Sequence, residues 1–245
     1  MKPGKVMVWT PEQTGRFLDC VAKHRLYPMF HLMVFRGLRR GEAAGLPWAE
    51  TDLELGVAHI SEQLVTSDYE VWEDTPKSDS GARTIVLDSE TKKLLELWQA
   101  RQQVERGEWE KEQAHAWTNS GLVFTWENGT SYHPNYLSQV FSRLLDKHGL
   151  LPVRLHDLRH CAATLSLAAG IHMKAIQVML GHSSYGLTAD TYTSVLPQFE
   201  QAQAEAPLLL VPRATAVARE LAPETSDQGM AESGVPGRVP GESAT

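Results

Sequence analysis

Four separated segments of this 245-residue sequence set cationic or polar side chains in surroundings suited to an anion. In Gly37-Leu38-Arg39-Arg40-Gly41-Glu42, a glycine-flanked arginine follows an apolar helix and precedes a short helix through Ala43, Ala44 and Leu46. Arg39 there reads either as an anion donor or as an ordinary surface arginine. The segment Thr75 to Arg83 puts Lys77 in a hairpin turn ahead of the strand Thr84 to Leu87, as a solvated lysine or as a mobile ammonium for a phosphate. His156-Asp157-Leu158-Arg159-His160 is more specific. A spacing of three places His156 and Arg159 on one helical face, where an imidazole and a guanidinium address the same ligand. His156 and His160, four apart, raise the question of zinc. Asp157 stands where the His-Glu-x-x-His motif needs glutamate, so no metal is assigned, and His160 and Cys161 read as core-facing or near-core residues behind the working face. The fourth segment is Leu180-Gly181-His182-Ser183-Ser184, followed by Thr188 to Val195. Its Tyr192 is a packing residue with a surface hydroxyl if read alone, and a nucleophile if read with its companions.

The elements that must position these groups are helical, then strand-like, then helical again. Thr10 before Pro11 and Glu12 predicts an N-cap with proline in the first turn, and Phe17, Val21 and Leu26 supply an apolar stripe. A second helix is expected over Tyr27 to Arg36, ending at Gly37. From Val57 to Leu87 short apolar runs separated by polar and glycine-containing turns predict a small antiparallel sheet. Helical periodicity returns over Ser89 to Gln113, Pro134 to Lys147, His156 to Ala169 and Met173 to Leu180, with Gly149, Gly170 and Gly181 as stops. The expected fold is α+β, a mostly helical domain with one small sheet.

Size allows one sizeable catalytic domain, here assigned to residues 1–200, with a Pro-, Gly- and Ala-rich tail over 201–245 that is expected to be disordered. Within the tail, Leu208 to Val211 is either a docking segment for a neighbouring protomer or a frayed apolar scrap. No run reaches the roughly 18 apolar residues of a spanning helix, and two cysteines, Cys20 and Cys161, make no disulfide framework. A soluble, cytoplasmic protein without a membrane partner is expected. Net charge is −7, of which six acids and three arginines in 201–245 account for −3, leaving −4 for the first 200 residues. Bulk electrostatics therefore does not draw this chain to nucleic acid, and any DNA binding must rest on a local basic surface.

Taken in order, Gly37-Leu38-Arg39-x-x-Glu42, Lys77, His156-x-x-Arg159, Leu180-Gly181-His182 and Tyr192 resemble the tyrosine recombinase (phage integrase) family over roughly Thr10 to Pro197. The resemblance implies a site-specific recombinase of a bacterial phage or mobile element, acting at the nucleoid on double-stranded DNA attachment sites within a tetrameric synapse. Tyr192 would attack a scissile phosphate to leave a 3′-phosphotyrosyl link and a free 5′ hydroxyl, with no cofactor. The residue types suit that reaction. Arg39 and Arg159 offer forks of donors to the developing charge, each such donor being worth roughly 3 kcal/mol of barrier, and His182 adds a lighter one. A phenol of ordinary pKa about 10 needs a nearby cation or base to attack, for which His156 is the candidate, and Lys77 is the general acid for the leaving oxygen. Glu42, three residues after Arg39, either orients an active-site cation or is a solvated helix glutamate.

Three departures accompany the resemblance. Arg36 stands where a threonine often precedes the glycine, and Ser194 where a histidine is common. The N-terminal helical clamp of such integrases is expected to be missing, with its phosphate contacts. Two alternatives therefore stand beside the recombinase: a truncated, non-catalytic fragment that binds DNA or integrase protomers, and a type IB topoisomerase-like relaxing enzyme. The short spacing from Gly181 to Tyr192 favours recombination over relaxation.

Overall fold

The computed structural model describes residues 8–67, 70–74, 82–112 and 116–182. Lys77, Tyr192, Ser194 and the tail lie outside the described residues. Helix α1, Pro11–Val21, starts as expected at Thr10, whose hydroxyl accepts from the Gln13 amide while the Gln13 side chain accepts from the Thr10 amide. Leu26 is buried but lies beyond the end of α1, because the chain turns between Val21 and Tyr27.

Helix α2, Tyr27–Arg36, is the centre of the fold. Pro28 to Val34 are all buried, and the helix packs against α6, α4 and α1. Such a run has no polar face to spare, so every side must be covered by another element. Trp9, Phe17, Phe30 and Phe141 form one aromatic cluster where α1 and α2 meet α5, their ring centroids 5.1 to 6.0 Å apart. Gly37 ends α2 in the left-handed conformation, at φ 66°.

A five-residue helix, α3 (Arg40–Ala44), leads to β1 (Thr51–Asp52) and β2 (Val57–Ile60). Then follow β3 (Gln63–Ser67), β4 (Glu70–Asp74) and β5 (Arg83–Val86). The expected single sheet is two: a three-stranded antiparallel sheet in the order β1-β2-β5, and a separate hairpin of β3 and β4. The β3 strand is drawn to α3. A Cβ at Gly41 would stand 2.5 Å from the Leu64 carbonyl oxygen, so the absence of a side chain lets helix and strand touch.

Helix α4 (Ser89–Glu112) buries Trp98 and Gln102 against the irregular stretch 116–133. The Gln102 amide donates to the Val123 carbonyl and the Thr125 hydroxyl and accepts from the Trp48 indole. This stretch, which has little helical or strand periodicity, is held by those bonds and by bridges pairing Pro47 with Leu122 and Thr125 with Ser131. Helices α5 (Pro134–His148), α6 (Asp157–Ala168) and α7 (Met173–Leu180) complete the described residues. Gly149 and Gly181 are the left-handed caps of α5 and α7. Among the described residues no helix is long and apolar enough to cross a membrane.

Candidate active site

The C-terminal turn of α7 is where three of the candidate residues, Arg39, Arg159 and His182, meet. The last carbonyls of a helix lack intrahelical partners and carry its negative dipole end, so they suit cations. Here three arginines take them. Arg83, from the first position of β5, donates Nε to the Met179 carbonyl at 2.7 Å. Arg159, from the first turn of α6, donates Nη2 to the Leu180 carbonyl. Arg39 donates Nη2 to the Gly181 carbonyl at 3.4 Å. Arg159 is itself buried, and its Nη1 reaches the Gly37 carbonyl at 2.6 Å, so one guanidinium joins the C-terminal ends of α2 and α7.

Glu42 is not a solvated helix glutamate. Its side chain is 1% exposed, and its carboxylate is shared by two arginines. Arg39 reaches Oε1 through Nη1 at 2.6 Å and Oε2 through its backbone amide at 2.8 Å. Arg83 donates Nη1 to Oε1 at 3.0 Å and Nη2 to Oε2 at 2.8 Å. Burial pushes the carboxyl's pKa up, but the Arg83 bonds and charge, with those of Arg39, outweigh it and hold the group at about 2.

Arg83 is the member that the sequence reading passed over, placing it in the hairpin turn before the strand. It is a strand residue paired with Ile60, its side chain 3% exposed. Its partner Glu42 lies 41 positions earlier, a separation that no local spacing reports.

His182 follows the α7 cap directly, and its carbonyl accepts from the Gln177 amide at 3.1 Å. Burial, and then the charges of Arg159 and Arg39, lower its pKa to about 4, so the imidazole is neutral at physiological pH. His156 precedes α6 and is also shifted down, by burial and then by His160 and Arg159. The His160 ring packs edge-on against His156 with centroids 5.7 Å apart. His160 is half-buried beside His156, and Cys161 is fully buried as expected. Asp157, in the position that argued against zinc, is engaged by Arg154 through Nε, Nη2 and the backbone amide at 2.8 to 3.1 Å. Among the described residues no group of three metal-ligating side chains converges.

Arg39 and His156 both line a cleft of about 750 Å³ formed by the start of α3, strand β3, helix α5 and the approach to α6. Arg40, Arg154, Ser138, Ser142 and Thr66 also face it, giving the local basic and hydroxyl-bearing surface that the chain's acidic total conceals. Arg36, at the first departure from the expected pattern, turns away to Asp88 at 2.8 Å, and Asp88 in turn accepts from the Thr91 amide and hydroxyl.

Such a cluster of guanidinium donors beside a basic cleft, on a mostly helical α+β frame, has the charge and geometry to bind an anion. The sequence profile described as the phage integrase family matches residues 8–198, and the chain belongs to that family. It is similar to a tyrosine recombinase XerC-like protein of Caldanaerobacter subterraneus, with 28% identity over 79% of this chain and 52% of that protein. It is also similar to the ICEBs1 integrase of Bacillus subtilis, with 26% identity over 82% and 54%. The chain therefore spans about half the length of these relatives. The fold is shared with the Tn1549 transposon integrase in complex with transposon right end DNA, at TM-score 0.67 and 24% identity over 82% of this chain and 67% of that one. XerA recombinase superposes at TM-score 0.63 and 19% identity, over 82% and 66%.

Proposed function

We propose that this chain carries the catalytic part of a site-specific DNA recombinase that breaks and rejoins strands through a 3′-phosphotyrosyl intermediate. The observation that carries the reading is the convergence of Arg39, Arg159 and neutral His182 on one helix end beside a basic cleft. Arg39 and Arg159 donate to the non-bridging oxygens of the scissile phosphate, where charge grows in the transition state, and His182 donates a third hydrogen bond. Tyr192 attacks phosphorus. The P–O bond to the 5′ carbon's oxygen breaks as the bond to the phenolic oxygen forms. His156, neutral because it is buried beside cations, accepts the phenol proton, and Lys77 protonates the leaving 5′ oxygen. Glu42 orients Arg39. In the second half the 5′ hydroxyl of a partner strand attacks the phosphotyrosyl link and restores the phenol, so no high-energy cofactor is consumed.

The partners are duplex DNA carrying attachment sites and three further protomers in a synapse, which places the protein at the bacterial nucleoid. The names of its relatives, integrases and transposases of mobile elements, support this reading.

Covalent trapping tests it. Wild type and Tyr192→Phe are incubated with nicked suicide duplexes made from DNA flanking the gene, then denatured. A protein–DNA adduct in the wild type alone, formed equally in EDTA, is expected. Duplex binding without an adduct in either protein overturns the recombinase reading in favour of a non-catalytic DNA-binding fragment.

A further inference from the structure

We infer that Arg83 is a positioning residue for strand cleavage: by holding Glu42 in a two-point grip while tied to the end of α7, it fixes where Arg39 and His182 stand. The inference rests on the phosphoryl-transfer reading above and adds a residue to it.

Geometry carries it. A carboxylate has two oxygens with about four acceptor directions, and Glu42 fills them with the Arg39 guanidinium, the Arg39 amide and both Nη atoms of Arg83. With Arg83 in place, the carboxylate has one orientation that satisfies all four donors. Without it, half of those bonds vanish and Glu42 can turn fully onto Arg39, offsetting the charge that Arg39 presents to phosphate. A paired fork of this kind fixes planes as well as distances, which a point charge does not.

The third Arg83 donor extends the grip. Nε reaches the Met179 carbonyl at 2.7 Å, so the same guanidinium ties β5 to the turn of α7 that ends in Gly181 and His182. Arg83 therefore connects three chain segments: the start of α3, the first residue of β5 and the end of α7. Two of these deliver a candidate donor to the phosphate. Because its side chain is buried, its contribution is made through the groups that it holds and not by touching the substrate. Misplacing such donors by about 1 Å is enough to slow a reaction on the order of 100-fold.

Among the described residues, the charged and titratable groups whose fields bear on His182 include Arg159 and His160 from α6, Arg39 from the lead into α3 and, with the smallest effect, Arg83 from β5. Loss of the Arg83 charge, with Glu42 turned toward the site, raises the pH at which His182 takes up a proton. This gives a readout independent of turnover and of global stability.

The test compares wild type, Arg83→Gln, Arg83→Lys and Tyr192→Phe in single-turnover adduct formation on suicide duplexes from pH 5 to 9. Duplex affinity, thermal melting and an NMR titration of His182, assigned with His182→Gln, accompany it. Arg83→Gln is expected to slow adduct formation on the order of 30-fold or more at pH 7, with duplex affinity within about threefold. Its His182 midpoint should move up. Arg83→Lys should keep that midpoint near the wild-type value and recover only part of the rate, because charge returns without the fork. If Arg83→Gln does not fold, Arg83→Lys carries the test, and a wild-type rate in that variant overturns the inference. A lower melting temperature with unchanged rate and unchanged His182 midpoint overturns it too, leaving Arg83 merely structural. Absence of an adduct in the wild type removes the recombinase reading itself and this inference with it, a result distinct from a wild-type adduct that Arg83→Gln forms equally fast.

Discussion

Glu42→Gln keeps the shape of the side chain and removes its charge from a place that is 1% exposed and flanked by two guanidiniums. Burial would raise the carboxyl's pKa, but the bonds and charges of Arg83 and Arg39 hold it at about 2 against an ordinary 4.5. Each pH unit between those values is about 1.4 kcal/mol, so the ionised carboxylate contributes about 3 kcal/mol to folding at neutral pH. The sign follows from a depressed value. The contribution is full above 4.5, the unfolded value, and is lost as pH falls through about 2, the folded one.

At pH 3.5 roughly 1.4 kcal/mol of it has gone. Urea unfolding of wild type and variant at pH 7 and pH 3.5, with m-values compared, measures both quantities. The expected gap is about 3 kcal/mol at pH 7, narrowing to about 2 kcal/mol at pH 3.5. A gap under about 1 kcal/mol at pH 7 would mean that the carboxylate behaves as a solvated surface charge, and would refute the reasoning. So would a gap of constant size, which would assign the loss to packing instead of ionisation.

Two further outcomes follow from the same contacts. Gly37→Ala forces alanine into the left-handed conformation and sets a Cβ 2.5 Å from Leu180 Cδ2, so about 2 to 4 kcal/mol of stability should be lost. Gly149→Ala, also left-handed but with nothing within 4 Å of its Cβ, should lose only about 1 to 2 kcal/mol; equal losses in urea titrations would discount the clash. Burial pushes the Cys161 thiol up to about 11, whereas Cys20 is only partly buried, so a thiol reagent at pH 8 should modify one cysteine quickly and the second only as the protein unfolds. Fast modification of both in the folded protein would contradict the packing of α6.

What the sequence disclosed was local. Thr10 with Pro11, and the glycines at 37, 149 and 181, mark helix ends through side-chain capping and left-handed backbone, and these need no knowledge of distant residues. The ends of α2 and α7 were accordingly readable to the residue. The division into two sheets was not, because β3 is placed by the bare backbone of Gly41, more than twenty residues upstream. The same contrast holds within the site. A spacing of three pairs Arg39 with Glu42 on paper, but burial of Glu42 requires Arg83, which arrives only once β2 and β5 have paired. For His160, helical spacing shows which residues share a face and not that its charge would bear on His182, which follows a different helix.

The way the cations are stabilised bears on catalysis. A buried arginine needs partners, and a carboxylate partner that satisfies it also cancels its field. Arg159 donates to the carbonyls of Gly37 and Leu180, at the ends of α2 and α7. Helix-end carbonyls supply oriented partial charges that cannot take up a proton at any relevant pH and that already lack intrahelical partners. They can hold a guanidinium in a fixed plane while offsetting less of its charge than an ion pair would. Gly37 and Gly181 make this possible, since the left-handed turn at each bends the chain away and leaves the final carbonyls open to an incoming side chain. The residues that end the two helices and the residues that would meet phosphate are therefore one construction. A change at either glycine should consequently disturb donor geometry even where the fold survives.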